Sequence, residues 1–413
     1  MRMLPQVTDL PAKDNTLLRT PLKVCMHLAS TARNDFRVMR DAMALAEAGF
    51  EVTIVDVERD RLRPAEEEID GIHMKHIIMP AWFAPVRFKP WFLIKSLGMS
   101  IHGVIHLFRT KADIYHAHVE KALPACYIMA RLRGKPLIFD APDLTLSDPN
   151  IMRWQRLRSL SVRFLAHMVS RCAAVITASP YYISELRALY HASNVTVVRN
   201  VPAYRVVLKS DRLRAHLGVD PDVHIVLYQG NIQPNRGLER LVYAAKFFAP
   251  KIVIVMMGKA VESTRSQLEA LIISEQVADR VKLLPPVPYT ELLEWTASAD
   301  IGLTIFPPKY SLSIRFTLPN KLFEYLMAGV PVLSSQLDAI AEVIKTYDVG
   351  QVASSLMPED LGAAINAMLE DQVALERMRC NALQAAKKEF CWEKESQRLV
   401  NLYRNILNTE DTV

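Results

Sequence analysis

The stretch TLPNKLFEYLMAGVPVLSS, residues 317–335, seats an asparagine, a lysine and a glutamate in an otherwise apolar helical pattern. A proline at the first helical position suits the N–H that a helix start leaves unbonded, and the free N–H groups of that turn form a site for an anion. Lys321 adds positive charge beside it. Asn320 and Glu324 are four residues apart and so share a face, where a carboxylate can accept both hydroxyls of a ribose while backbone amides hold a phosphate. A capped core helix with an incidental glutamate is the other reading of the same residues. In YHAHVE, Ile114, His116 and His118 lie on one face of a strand. Two histidines alone make a poor zinc site, because a third ligand is missing. The segment STARNDFR, 30–37, offers Asn34 and Arg37 to a phosphate or an acceptor, with Asp35 placed to cap the helix that follows.

These residues need strands to carry them, and the chain supplies two series. In the first half the apolar, β-branched runs are 23–29, 51–57, 112–118, 136–141 and 173–179; in the second they are 224–230, 251–258, 280–286, 300–306 and 330–335. Amphipathic helical patterns alternate with them, the signature of βαβ units around a parallel sheet. In FRVMRDAMALAEAGF, for example, Val38, Ala42, Leu45 and Ala46 share a face and Gly49 stops the helix. Between the series, residues 200–222 have proline near both ends and a charged middle, which suits a linker. The fold class expected is α/β, two Rossmann-like domains facing each other across a cleft. Ligands in such sheets bind beyond the carboxyl ends of the strands, so function is expected between the halves.

Bulk properties agree with this division. The chain has 413 residues, too many for one ordinary core, since single cores stop growing near ~250–300 residues. Lys plus Arg number 50 against 44 Asp plus Glu, a mild excess compatible with anionic ligands or a membrane surface. Five scattered cysteines without a C-x-x-C pair fit a reducing cytoplasm and core positions. The first residues, MRMLPQVTDLPAKDN, contain no signal-like apolar core, and no run reaches the ~18 apolar residues of a spanning helix. A cytoplasmic protein is expected, with the sequon at Asn194 a chance match.

PNKLFEYLMAGVPV resembles the signature of the GT4-type glycosyltransferases, retaining enzymes of the GT-B fold. LYQGNIQPNRGLERLVYAA (227–245) is similar to that family's strand, glycine-containing turn and basic residue before glycine. The segment from Ala112 to Leu144 resembles its acceptor-side region, NDFRVMRDAMALAEAGFEVTIV its first βαβ unit, and FCWEKESQRLVNLYRNIL its last helix. The resemblance spans nearly the whole chain, with the segments in the family's order. It implies an acceptor-side domain at 1–200, a nucleotide-sugar-binding domain at 201–390 and a helix at 391–413 that returns to the first domain. It also implies transfer of a sugar from a nucleoside diphosphate donor to a hydroxyl acceptor, in polysaccharide, glycolipid or lipid-linked oligosaccharide synthesis.

Carried over residue by residue, Glu324 holds the donor ribose, with Asn320, Gly230, Asn231 and Gly237 around the donor. Arg236 neutralises the departing diphosphate, as a fixed guanidinium in a dry cleft can. Lys321 assists, and His118 stands near the donor sugar and acceptor hydroxyl. Neither a carboxylate constellation nor a Walker loop is present for magnesium, so no cofactor or metal is expected. The chain departs from the family pattern at Phe316, where a glutamate is usual, at Asn231, where an arginine is common, at Pro142 and Asp143, which replace His-Glu, and at Gly258, which lacks the second glycine of a G-x-G. Those departures motivate a rival reading, a catalytically weak subunit that binds nucleotide sugar or another protein. The lack of G-x-G-x-x-G with an acid about 20 residues on argues against a dehydrogenase.

Residues 71–112 contain no Asp or Glu, and AWFAPVRFKPWFLIK interleaves aromatic and basic groups. In the helix that follows, Leu93, Leu97, Ile101, Val104 and Phe108 share one face, and Lys95, His102, His106 and Arg109 the other. A second acid-free basic run occupies 151–171. A packed helix with a solvated cationic face is one expectation, and peripheral contact with an anionic membrane leaflet is the other.

Overall fold

The computed structural model describes residues 21–78, 89–144, 155–307 and 312–410. Within these, the first half forms β1 (Lys23–Leu28), β2 (Glu51–Glu58), β3 (Glu66–Ile69), β4 (Ile72–Ile78), β5 (Ile114–His118), β6 (Leu137–Asp140), β7 (Ala174–Thr177) and β8 (Val195–Val197). They join in the order β3-β4-β2-β1-β5-β6-β7-β8, parallel except for β3 against β4. The second half forms β9 (His224–Gln229), β10 (Ile252–Met257), β11 (Val281–Leu284), β12 (Ile301–Thr304), β13 (Val332–Ser334) and β14 (Gly350–Val352), in the order β11-β10-β9-β12-β13-β14. Counted from its own first strand that order is 3-2-1-4-5-6, the doubly wound arrangement whose crevice opens where the winding reverses. The reversal lies between β9 and β12, and its counterpart in the first sheet lies between β1 and β5.

Both sheets are covered on both faces, which is why β5 and β10 are buried at every position. The last helix, Trp392–Glu410, adds Leu399, Leu402, Tyr403, Ile406 and Leu407 to the first sheet's core, against Val38 and Leu45 of helix Phe36–Glu47. Two passes of the chain between the halves lie side by side. Arg199 bonds Glu389 and Glu395, the Trp392 amide donates to the Pro202 carbonyl, and the Tyr204 amide donates to Glu393. A short helix, Arg212–Leu217, breaks the expected linker.

All ten expected strands are present. Those unanticipated are the β3–β4 hairpin, β8 and β14. The hairpin carried a readable signal, since Asp70 and Gly71 both take positive φ (50° and 76°), the two-residue turn that Asp-Gly favours between alternating strands. Strands β8 and β14 have three residues each, too few for a periodic pattern. Helix Phe36–Glu47 is capped by Asp35, whose Oδ1 accepts from the Arg37 and Val38 amides. The signature helix runs Asn320–Met327, so Pro319 precedes it in extended conformation (φ −73°, ψ 147°) and is not its first helical residue as the sequence suggests. The five cysteines are free thiols, with only Cys380 exposed.

Candidate active site

The crevice between the sheets is a cavity of about 840 Å³, within the range of small-molecule sites. Gly230, Asn231, Arg236, Asn320, Lys321 and Glu324 line it on the second domain's side, and Arg37, Pro142 and Asp143 on the first's. Phe36 stacks on Tyr289 across it, ring centroids 5.0 Å apart. Among the described residues, Asn34, His118 and Gly237 are not in its walls.

On the second domain the floor is the carboxyl end of β9. Tyr228 and Gln229 end an apolar strand, and Gly230 turns the chain at φ 126°. The adjacent Gly258 is forced to be glycine, because a Cβ there would stand 1.9 Å from the Gly230 carbonyl oxygen. Glu324 is buried, and its Oε2 accepts a hydrogen bond from Gln229 Nε2 at 2.5 Å, while Gln229 Oε1 accepts from Thr296. Burial raises the Glu324 pKa, with Gln229 and Lys321 opposing. Lys321 is also buried, its Nζ 3.7 Å from the Tyr228 ring centroid and 5.3 Å from that of Phe306. Burial, with Arg236 nearby, lowers its pKa to about 7 against the pull of Glu324. Arg236 also lies over the Phe306 ring, 5.2 Å from its centroid. Asn235 and Gly237 around it take φ of 64° and 72°, a left-handed turn that presents the guanidinium to the crevice. Two cations thus rest on aromatic faces at the cavity wall.

On the first domain the polar groups are locked together. Arg37 forms a two-pronged pair with Asp140 (2.7 and 2.8 Å) and donates to the Val198 carbonyl at 2.9 Å. Burial works against it, yet Arg37 and His118 hold the Asp140 carboxyl well below the usual carboxylate range. His118 Nδ1 is 3.2 Å from Asp140 Oδ2, so a proton on Nδ1 leaves Nε2 as an acceptor. The rings of His118 and His116 lie 4.0 Å apart, and His116 Nδ1 is 2.7 Å from Tyr403 of the last helix. Burial pushes the His116 pKa well down, keeping it neutral. Among the described residues, Nε2 of both histidines and both oxygens of Asp41 are buried without a hydrogen-bond partner. Val119, directly after His118, has φ 60°, strained for a β-branched residue and confined by its packing.

Two expectations change in this geometry. The histidine pair does have a third potential ligand, since Asp140 brings a carboxylate oxygen within 4.8 Å of both rings. That carboxylate is already held by a guanidinium, and His116 Nδ1 by a phenol, so a cation would have to displace Arg37. Arg37 itself reaches the cavity wall with its polar atoms committed to Asp140 and Val198, which makes it a support for His118 and not an open phosphate clamp. Asn34 is exposed in a 3-10 turn, Ala32–Asn34, and does not itself line the cavity. Phe316 stacks on Tyr181 of the first domain, centroids 5.8 Å apart. Sequence reasoning missed Gln229, Tyr228 and Phe306. A polar side chain closing the apolar run HIVLYQ was the available signal for Gln229.

Comparisons with known proteins bear on the family and the fold. A model described as glycosyl transferases group 1 matches residues 209–387, and one for glycosyltransferase family 4 matches 37–201. The chain is 24% identical over 387 residues to D-inositol 3-phosphate glycosyltransferase 1 of Catenulispora acidiphila, covering 90% of each. It is 24% identical over 406 residues to the like-named protein of Thermobispora bispora, covering 90% of this chain and 89% of that one. Among solved structures, sucrose-phosphate synthase from Thermosynechococcus elongatus superposes with a TM-score of 0.76 at 16% identity, over 94% of this chain and 100% of that chain. Anabaena HepE in complex with UDP and glucose does so at 0.69 and 16%, over 93% and 99%. At such identities the structural likeness is one of fold.

Proposed function

The chain belongs to the GT4-type glycosyltransferases of the GT-B fold, and on that premise we propose a retaining enzyme that moves a sugar from a nucleoside diphosphate donor to a hydroxyl acceptor. The observation that carries the reading is the pairing, in one cavity, of a buried carboxylate at Glu324 with two cations, Lys321 and Arg236, held on aromatic rings. Glu324 has one oxygen occupied by Gln229 and another to accept from a ribose hydroxyl. Asn320, Gly230, Asn231 and Gly237 surround the diphosphate through the first turn of the signature helix and the glycine turn. Arg236 stabilises the charge that grows on the leaving diphosphate, and Lys321 assists it.

His118 serves the sugar and acceptor side, its ring oriented by Asp140 and Arg37. Arg37 and Asn34 belong to the acceptor side, Arg37 through that support. The two domains, 1–200 and 201–390, carry acceptor and donor respectively, and the last helix, Trp392–Glu410, ties them. The transfer is metal-independent, since the guanidinium and ammonium supply the charge a divalent ion would otherwise supply. The relatives' names and the neighbours' titles make UDP-glucose a first donor to try and inositol 3-phosphate a first acceptor. A lipid-linked or other amphiphilic acceptor, met by peripheral contact at the inner face of the membrane, is the reading favoured by the basic surfaces. Among the described residues no helix is long and apolar enough to cross a membrane.

Glycosyl release from a panel of nucleotide sugars, with chelator present, with protein alone and then with membrane extract, tests this. Turnover is expected with one donor and no metal, and Glu324→Ala should cut kcat/KM about 30-fold, the loss of ~2 kcal/mol of charge-assisted hydrogen bonding. If calorimetry detects binding of a nucleotide sugar but no acceptor gives turnover, the partner-subunit reading replaces this one.

A further inference from the structure

Helix Lys89–Phe108 is rotated away from the seating its apolar pattern suggests, although Val104 of that pattern still packs against the core. The stripe of Leu97, Ile101 and Phe108, expected to face the core, points outward: Leu97 is 63% exposed and Phe108 65%. His102, His106 and Val104 are half-buried, and the core side is made by Gly103 and Leu107. The side chains of Leu93 and Lys95 lie outside the described residues. Gly103 explains the rotation. A Cβ at that position would be 3.0 Å from both the Ala125 side chain and the His27 ring, so this helix seats closely on helix Val119–Arg133 only on its glycine face.

The two neighbouring helices on the same face of the sheet repeat the pattern. Leu132 of helix Val119–Arg133 is 70% exposed, and Leu160 and Phe164 of helix Gln155–Val169 are 63% and 57% exposed. All three helices pack their inner sides into one core with Leu107, Met129 and Leu165. Arg133 joins the first two, donating to the Phe108 and Thr110 carbonyls, and Tyr127 meets His167 between the second and third. Exposed Arg109, Lys111, Arg131, Arg163 and Arg171 stand among these apolar side chains. Residues 89–111 and 155–171 contain no Asp or Glu. A water-soluble protein surface seldom carries so many large apolar side chains together unless something covers them.

We propose that this three-helix face inserts its apolar side chains into an anionic lipid bilayer, the cations flanking them binding the headgroups. This rests on the membrane reading above and goes further, because attraction by charge alone leaves the protein on the surface. Apolar side chains mixed with Lys and Arg, with no acid on the two outer helices and Glu120 alone at the start of the middle one, are the composition of helices that lie in the interface, their apolar side sunk ~5–10 Å. Charge decides between this occupant and a second copy of the chain, since two such cationic faces repel each other.

The test uses the full chain with vesicles of phosphatidylcholine alone or with phosphatidylglycerol. Raising salt from about 0.1 M to about 1 M shortens the Debye length from ~10 Å to ~3 Å and removes the electrostatic part. The protein should bind anionic vesicles at low salt, and a fraction should stay bound at high salt. Leu97→Ser, Ile101→Ser and Phe108→Ser together should keep the low-salt binding but lose the salt-resistant fraction roughly tenfold or more. Arg109→Gln, Lys111→Gln and Arg163→Gln should do the reverse. Thermal melting and donor hydrolysis in solution should be unchanged in both, because the positions are exposed and outside the cavity. Complete release of the unaltered protein by salt would overturn insertion while leaving surface attraction standing. A dimer by light scattering that the serine variant abolishes, with vesicle binding unaltered, would assign the face to a second copy instead.

Discussion

The two walls of the cleft hold their charges by different means. On the first domain Arg37, Asp140 and His118 are interlocked by direct hydrogen bonds, and of the three only Arg37 reaches the cavity wall. On the second, Lys321 and Arg236 rest on the rings of Tyr228 and Phe306 and face the cavity. A network whose charges satisfy each other fixes geometry and has little left to offer a ligand. Cations held on aromatic faces keep most of their attraction for an incoming anion, and burial sharpens it. The first wall therefore positions and the second binds and stabilises charge.

Breaking the interlocked wall should have the largest effect. Arg37→Met leaves Asp140 buried and uncompensated, and should cost ~3–5 kcal/mol of stability, read as a lower denaturant midpoint. A midpoint that hardly moves would mean that Asp140 finds water or another partner, and the contrast between the walls would fail. Next, Arg236→Ala should lower kcat about 10²–10³-fold with a much smaller change in donor affinity, as expected for a group that acts when the diphosphate leaves. Equal losses in donor binding and no kcat effect would make it an anchor only.

Lys321 supplies a pH test. With its pKa lowered to about 7, the free enzyme loses the cation as pH rises, so kcat/KM for the donor should fall above about pH 7 by up to tenfold per unit. Stability runs the other way. Between about 7 and the ordinary lysine value near ~10.4 the unfolded chain holds a proton the folded one has released, so unliganded stability should rise with pH in that window. Lys321→Met should flatten both profiles; a donor profile that keeps its shape in the variant would move the titration to another group. The smallest effect concerns Val119. Its replacement by glycine relieves the left-handed strain and should stabilise the fold by ~1 kcal/mol, a rise of a few degrees in Tm, while lowering turnover by loosening His118. Unchanged turnover would show that the strain does not serve the site.

Much of this was legible in the residues themselves. Ten strands, the helix cap at Asp35, the signature helix and the cleft placement of Glu324 and Lys321 follow from local periodicity, capping chemistry and the spacing of Asn320 and Glu324, while Arg236 was reached only through the family resemblance of its NRG turn. Each depends on neighbours close in sequence, where side-chain period and backbone geometry decide. The Asp70–Gly71 hairpin belongs with them, since its turn chemistry was in view.

What only the tertiary structure decided depends on groups brought together from far apart. Asp140 reaches Arg37 across 103 residues of chain and Gln229 reaches Glu324 across 95, and nothing local marks either pairing. The Asp140 carboxylate beside the two histidines, the rings beneath Lys321 and the burial that lowers its pKa arise in the same way. The rotation of helix Lys89–Phe108 is the clearest case. Its apolar stripe sets a hydrophobic face, but the choice of which face meets the core fell to Gly103, because a side chain there would crowd Ala125 and His27 at 3.0 Å.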